Sequence, residues 1–560
     1  MISSTAKQLC TAFDESPPSL VRNVCIIAHV DHGKTTLADY LVSANGIISA
    51  RLAGKLRYMD CREDEQIRGI TMKSSAITLY YDPLLINLID SPGHIDFCTE
   101  VSSAVNLADI AILLVDVVEG VCSQTESLIR LALIKKLDII LVLNKIDRLI
   151  IELKMSETEA HKHLQRLIEF INAYFAELWA KRLVARQTWQ TEETKKRINV
   201  KDEVFELKNQ LTQHLFSGDY YFSTKTNKIC SGAEQKDKKT LFEQFVLEPL
   251  WEIHKCAFLD KTVDKLNQIA TKLSLPNLKS KRGDEAFSEL MRNWLPLSSA
   301  IVRACAKSCS AQNSYKLTNE DWNRVKDLFE DKSTSLPYTA NCLSNCDPND
   351  PLVLSFVSKA FTASDQFQIQ RRISLCRVMC GTLRKGDQIF IFKSLFNSKN
   401  ISQKPLNETN NSNQQIENNI NNFWQQYTIT SLFILFGRDL LEVERIPCGR
   451  ICGVEVNNGE WIGGSLICNR KLSHSEIPSM EGFKQGKFAD PIVRVTIKPS
   501  KSDPTSFAEL RSALRQLTVL DSAVSIVEQK ENEFLMLTAG EVHLQKCIED
   551  LNSLGQTDLV

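Results

Sequence analysis

The chain has 560 residues, several times the roughly 100 to 200 of a single domain, so three or four domains are expected. Its 67 Lys and Arg balance 68 Asp and Glu for a net charge of -1, which excludes a global electrostatic pull toward nucleic acid or membrane and leaves only local patches for any RNA contact. No run of about 18 apolar residues occurs, so no membrane partner is expected and a soluble protein is.

The 17 cysteines are irregularly spaced. Pairs such as Cys376/Cys380 and Cys448/Cys452 lack the two-residue gap of a zinc knuckle or redox motif and read as buried thiols in a reducing cytosolic setting. Residues 1–22 read as an N-terminal tail with no apolar core. Apolar runs at 24–28 and 110–116 end in polar turns followed by helical patterns, the rhythm of a parallel sheet, so the first 150 residues read as α/β. The expected domain spans 23–335 and includes a helical extension over 151–335. Long helical stretches dominate 155–252, with the charged runs 192–197 and 236–239 as solvated faces.

Beyond Pro351 the texture changes. Short strand-like runs at 352–360, 373–379, 388–393, 427–434 and 449–454, separated by Gly, Asp and Arg turns, predict a β-barrel domain over 350–475. Its Asn-, Gln- and Ser-rich stretch 397–422 reads as a disordered surface loop. Residues 488–560 read as a small α+β, ferredoxin-like domain: a strand at 491–498, an amphipathic helix at 506–517, a strand at 533–538 and a last helix. The fold class is therefore multidomain α/β.

Four short elements carry chemistry. Ala28-His29-Val30-Asp31-His32-Gly33-Lys34-Thr35-Thr36 lies between a buried strand and a helix, the context in which a loop wraps backbone N–H groups around phosphates. There Lys34 would neutralise the β and γ phosphates and Thr35 would place its hydroxyl on Mg²⁺. Arg68-Gly69-Ile70-Thr71 offers a second hydroxyl that could reach Mg²⁺ and the γ phosphate and so order its loop in the triphosphate state. The strand at 85–90 ends in Asp90-Ser91-Pro92-Gly93-His94. Asp90 would hold the metal through its water shell, Gly93 would offer an N–H to the γ phosphate, and the His94 ring could orient an attacking water. Asn144-Lys145-Ile146-Asp147 follows the strand 139–143; Asp147, read as a buried carboxylate, would accept two hydrogen bonds from guanine, with Lys145 over the base and Asn144 tying the loop back. Taken singly, each has a bland alternative: a chance turn, a capping histidine, a common loop threonine, a solvated turn. Their joint order outweighs those alternatives.

With these motifs the chain resembles the elongation factor 2 and bacterial elongation factor G group along nearly its whole length. Two stretches narrow the resemblance: Leu52-Ala53-Gly54-Lys55-Leu56-Arg57-Tyr58-Met59-Asp60 with Arg68-Gly69-Ile70-Thr71-Met72-Lys73-Ser74-Ser75, and Thr538-Ala539-Gly540-Glu541-Val542-His543-Leu544. Both are more similar to the elongation factor-like GTPases of cytoplasmic ribosome maturation than to the translocases. The resemblance implies a monomer that binds GTP or GDP with Mg²⁺. It implies action on the late pre-60S subunit with the Shwachman-Bodian-Diamond syndrome protein to release initiation factor 6. It assigns Lys34, Thr35, Thr71 and Asp90 to Mg²⁺ and phosphate, His94 to catalysis, and Asn144, Lys145 and Asp147 to guanine. It also implies a monovalent cation at Asp31.

Two departures from the family pattern stand out. No Ser-Ala turn that would support guanine from its other side occurs between Leu167 and Gly218, and His214-Leu215-Phe216-Ser217-Gly218-Asp219-Tyr220-Tyr221 resembles the segment that should follow it. A stretch of the GTP-binding domain is therefore expected to be missing. The family also continues into two further domains where this chain ends, so the sequence reads as truncated. The leading expectation is a GTPase stimulated on the large ribosomal subunit. A nucleotide-binding or inactive scaffold is the second, and an elongating translocase the third.

Overall fold

The computed structural model describes residues 4–60, 62–187, 215–216, 218–223, 228–231, 239–260, 262–280, 282–315, 338–364, 370–392, 424–457, 463–473, 476–478, 491–499, 504–521, 523–529 and 533–554. They form two compact units. One comprises Met1–Leu114, Leu131–Val142 and Ile301–Val560; the other comprises Val115–Arg130 and Leu143–Ala300.

The chain opens with helix α1 (Ser4–Glu15), then strand β1 (Val21–Ala28), α2 (Lys34–Ala44), α3 (Glu63–Arg68), β2 (Ser75–Tyr81), β3 (Leu84–Asp90), α4 (Cys98–Leu107), β4 (Ile110–Asp116), α5 (Ser123–Ile134) and β5 (Asp138–Asn144). All positions of β1, β3 and β4 are buried, as expected of strands covered on both faces. β1 lies parallel to both β3 and β4, in the order β2-β3-β1-β4-β5. The register pairs Ile26 with Asp90, which brings the loop after β1 and the carboxylate ending β3 to one edge of the sheet. Val24, Ile26, Leu88 and Ile112 pack against Leu37 and Leu41 of α2 in one core.

The 1–22 tail is corrected by the structure. α1 carries Leu9 and Phe13 into the barrel core, and the adjoining carbonyls of Phe13 and Ser16 accept from the buried Arg450 guanidinium. With Leu9 and Phe13 the only two large apolar residues within α1, their helical spacing escaped a composition-based reading.

The second unit contains α6 (Asp147–Ile151), α7 (Glu157–Gln187), α8 (Glu248–His254), α9 (Val263–Lys272) and α10 (Gly283–Trp294). A hairpin, β6 (Tyr220–Ser223) and β7 (Lys228–Ser231), interrupts the expected run of helices. Ile253, Ala257, Leu266, Ala270, Ala286 and Leu290 form a separate small core beneath α9 and α10. The charged run 192–197, residues 188–214 of the 167–218 stretch in which no Ser-Ala turn occurs, and the insert 397–422 lie outside the described residues.

After α11 (Leu297–Lys307) and α12 (Tyr338–Asn345) comes the barrel: β8 (Leu354–Ser364), β9 (Gln370–Cys380), β10 (Thr382–Arg384), β11 (Gln388–Phe392), β12 (Trp424–Phe436), β13 (Asp439–Val443), β14 (Arg445–Pro447), β15 (Ile451–Val456) and β16 (Ser465–Cys468). The antiparallel path β11-β16-β8-β9-β15-β12 closes because β12 pairs back to β11, which leaves these six strands without an open edge. Val357, Cys376, Val378, Ile391, Leu432, Cys452 and Ile467 fill its core.

The chain continues in β17 (Val493–Ile497), α13 (Pro504–Leu520), β18 (Ser525–Glu528), β19 (Phe534–Thr538) and α14 (Glu541–Ser553), with sheet order β17-β19-β18. β18 was not read from the sequence; three of its four side chains are exposed, so it lacks an apolar alternation. The cysteines among the described residues are free thiols, most of them buried, as expected.

Candidate functional site

The loop between β1 and α2 turns through Asp31 (φ 58°) and Gly33 (φ 98°), left-handed residues of the kind with which a loop can turn successive backbone N–H groups toward an anion. Gly33 opens the eleven-residue α2, whose N-terminal end favours anions. Ala28 is buried, His29 and Val30 half-buried, and His32 buried with its Nδ1 3.4 Å from the Leu114 carbonyl. Asp31 and Thr36 are exposed. The buried Lys34 ammonium donates to the His29 carbonyl at 2.9 Å. A Cβ added to Gly93 would lie 2.1 Å from Lys34 Nζ, so glycine is what allows the loop after β3 to meet this lysine.

Around them converge hard oxygen donors. The Thr71 hydroxyl donates to Asp60 Oδ1 at 2.8 Å, so in the 3.0 Å contact between Thr35 and Thr71 it is Thr35 that donates. Both threonine oxygens thereby keep lone pairs free. Asp90 is fully buried and no hydrogen bond reaches either of its carboxylate oxygens. Burial, reinforced by the Asp60 charge, raises Asp90 to about 7, while Lys34 opposes the shift; Thr35 lies close enough to oppose it too, though its hydroxyl is bonded to Thr71. Burial likewise lowers Lys34 to about 8 against the pull of Asp90 and Asp31. A buried, unpartnered carboxylate beside two hydroxyls and a second carboxylate suits a hard cation, so these residues fit Mg²⁺.

Three carboxylates missed by sequence reasoning hold the surrounding loops. Asp60 orients Thr71. Asp39 of α2 accepts from the Gly54, Arg57 and Tyr58 amides. Glu65 accepts from Met72 and Lys73 N–H, both at 2.8 Å. Only Asp60's place within the quoted 52–60 stretch could have flagged it; Asp39 and Glu65 look like ordinary helical acids.

His94 precedes the 3-10 turn Ile95–Phe97, and its Nδ1 accepts from Asp96 N–H at 3.2 Å. The neutral ring therefore carries its proton on Nε2, which is left to act outward as a donor. α14 packs beside these loops: Arg62 donates to Asp550 at 2.7 Å, Arg68 to Glu549 at 2.7 Å, and the Phe97 and His543 rings meet edge to face.

The tetrad Asn144 to Asp147 belongs to the second unit. Asn144 accepts from Val117 N–H at 3.1 Å. Lys145 adopts φ 61° and places Nζ 3.1 Å from Asp116 Oδ2. Burial would raise Asp116, but Val118 N–H, Lys145 and Arg148 outweigh it and hold that carboxylate below its usual range. Asp147, expected to be buried, is exposed at the start of α6. The correction has a simple reason: Asp147 is the first residue of the five-residue helix α6, where its carboxylate is open to solvent.

Residues 19–307 match the model of the elongation factor Tu GTP binding domain, more than half of the chain. The chain belongs to that family. It is 31% identical to human Elongation factor-like GTPase 1, with 95% of this chain and 59% of that protein aligned. It is 30% identical to Ribosome assembly protein 1 of Schizosaccharomyces pombe, over 95% of this chain and 60% of that protein. The chain thus spans about 60% of the length of these relatives. A crystal structure from Thermus thermophilus superposes with a TM-score of 0.53 at 19% identity, covering 97% of this chain and 67% of the other, a likeness of fold. No described helix is long and apolar enough to cross a membrane.

Proposed function

We propose that the chain is a GTP-hydrolysing enzyme of ribosome assembly that acts in the cytoplasm on the large ribosomal subunit. The observation that carries this reading is the buried Asp90 carboxylate, both oxygens unpartnered, facing the Lys34, Thr35, Thr71 and Asp60 cluster beneath a left-handed phosphate-type loop.

In this reading the 28–36 loop binds the phosphates through backbone N–H groups, and Lys34 neutralises the β and γ oxygens. Thr35, Thr71 and Asp90 hold Mg²⁺, whose chemistry is to neutralise charge on the phosphate oxygens. Gly93 lends its N–H to the γ phosphate. His94, with Nδ1 occupied, uses its Nε2 side to orient the attacking water. Asn144, Lys145 and Asp147 read guanine, and Asp31 supports a monovalent cation. The names of the relatives and the resemblance of the 52–60 and 538–544 stretches support a role in ribosome assembly. The partners that follow are ribosomal RNA and proteins and the Shwachman-Bodian-Diamond syndrome protein, with release of initiation factor 6 as the outcome, for a factor that works as a monomer.

The deciding experiment is equilibrium binding of fluorescent GTP and GDP, with ATP as competitor and Asp147→Asn as control. Guanine-specific binding that the substitution abolishes supports the reading. A folded chain that binds neither nucleotide rejects it in favour of a scaffold.

A further inference from the structure

Strand β8 does not run straight past the nucleotide-site loops. Its register against β9 slips between Val357 and Lys359, leaving Ser358 as the extra residue of a β-bulge. Bulges re-aim side chains, and here two consecutive residues of the barrel are directed onto the α/β domain. Ser358 donates its hydroxyl to the Ser103 carbonyl of α4 at 2.9 Å. Lys359 Nζ donates to the Ser74 carbonyl at 2.7 Å, the Ser74 hydroxyl at 2.8 Å and Glu100 Oε2 at 2.8 Å. The same Glu100 oxygen accepts from the Ser74 amide at 3.1 Å and the Ser74 hydroxyl at 2.8 Å. All five residues, Ser74, Glu100, Ser103, Ser358 and Lys359, are buried.

The chain positions of the partners matter. Ser74 lies three residues after Thr71, at the end of the loop that carries the threonine hydroxyl. Glu100 lies six residues after His94, in the helix that follows Gly93 and His94. A single lysine from a different domain therefore joins the downstream anchors of the two segments that would contact the γ phosphate. Two other barrel cations reach this region without joining the two segments: Arg438 donates to the Tyr58 and Asp60 carbonyls from a more exposed position, and the buried Arg377 donates to the Leu107 carbonyl at the far end of α4 at 2.9 Å and pairs with Asp109.

We propose that Lys359 is a positioning residue for the nucleotide site, a barrel-borne clamp that holds the Thr71 and Gly93–His94 segments in the arrangement that fits the triphosphate. The inference rests on the guanine-nucleotide reading above. It makes barrel docking and triphosphate binding mutually stabilising, because a contact formed when both loops are ordered favours whichever ligand orders them. The diphosphate, lacking the γ phosphate, gains little from it.

The test compares the parent chain with Lys359→Met, with Lys359→Met/Glu100→Gln, which removes both buried charges together, and with the milder Ser74→Ala. Two measurements are made: affinity in Mg²⁺ for the β,γ-imido analogue of GTP and for GDP, and amide hydrogen exchange without nucleotide. Expected for Lys359→Met is roughly tenfold weaker analogue binding, with GDP changed by about twofold or less. Amides over 71–76 and 98–106 should exchange faster together, with β17 and β19 unaffected. Ser74→Ala, which keeps the Lys359–Glu100 pair, should show the same pattern at smaller size and covers the case in which Lys359→Met fails to fold. Equal weakening of both nucleotides, or unchanged exchange in either segment, overturns the clamp and leaves Lys359 a structural ion pair. If the parent binds neither nucleotide, the site reading fails by itself, while the exchange data still report whether Lys359 ties the two segments.

Discussion

Replacing Gly93 by alanine tests the phosphate site at its tightest point. The new Cβ would sit 2.1 Å from Lys34 Nζ, 2.9 Å from Lys34 Cε and 3.3 Å from Val30 Cα. The two severe contacts involve the far end of a flexible side chain, so the fold can yield by swinging Lys34 aside. That relief should cost about 1 kcal/mol of stability, the low end of overpacking. The functional cost is larger, because the place vacated is the one from which the ammonium would meet the phosphates. A hydrogen bond from a charged donor is worth about 1.5–3 kcal/mol. At about 1.4 kcal/mol per decade, GTP and GDP binding should weaken about 10- to 150-fold. The assay is a fluorescent-nucleotide titration beside a thermal melt of the same preparation. A variant that binds GTP as tightly as the parent would refute the argument that Gly93 makes room for Lys34 at the phosphates.

His94→Ala should leave nucleotide affinity nearly intact and lower subunit-stimulated turnover by orders of magnitude; equal stimulated rates in variant and parent would remove His94 from the mechanism. The buried pair Arg377 and Asp109, bonded at 2.7 and 3.1 Å, should make Asp109→Ala cost about 3–5 kcal/mol by stranding a buried guanidinium, measured by denaturant unfolding. Acid should destabilise the α13–α14 layer through Asp521. Burial alone would raise this carboxylate, yet Lys546 and His543 outweigh burial and hold it well below the usual range. Its folded-state value is thus depressed, so its contribution is present above the unfolded pKa of about 4 and is lost as pH falls below that. Asp521→Asn should lower stability at neutral pH and flatten the acid limb; a parallel-shifted limb of unchanged slope would show that Asp521 does not contribute to it.

Much of the α/β part was legible because buried parallel strands are written as apolar runs. The reading of 85–90 and 110–116 falls on β3 and β4, and 139–143 falls within β5. Five of the six closing barrel strands, β8, β9, β11, β12 and β15, were read near their places, although β8 extends to Ser364 and β9 begins at Gln370, where the outer ends lack an apolar alternation; the four-residue β16 and the short β10, β13 and β14 were not read. The phosphate-loop and Asp90 motifs could be proposed from sequence because the groups they offer are carried by a few residues at fixed local spacing. Asp39 and Glu65 were not legible, because a carboxylate that accepts backbone amides from another stretch of chain has no local signature, nor was Asp60, whose Thr71 hydroxyl partner lies eleven positions on. α1 was misjudged for a related reason: two apolar residues suffice when a barrel elsewhere provides the core.

The sequence alone determined the fold class and the family resemblance and supplied the motifs from which a nucleotide site is proposed, all of which depend on short-range pattern and residue type. Tertiary structure decided which oxygens share the space around Thr71, that the barrel closes through β11 and β12, and that Lys359 reaches Ser74 and Glu100. These last contacts join residues separated by more than 250 positions, and only the packing of whole domains sets them. Local spacing encodes which groups a segment can offer; burial and register, solved jointly over the chain, determine which groups meet.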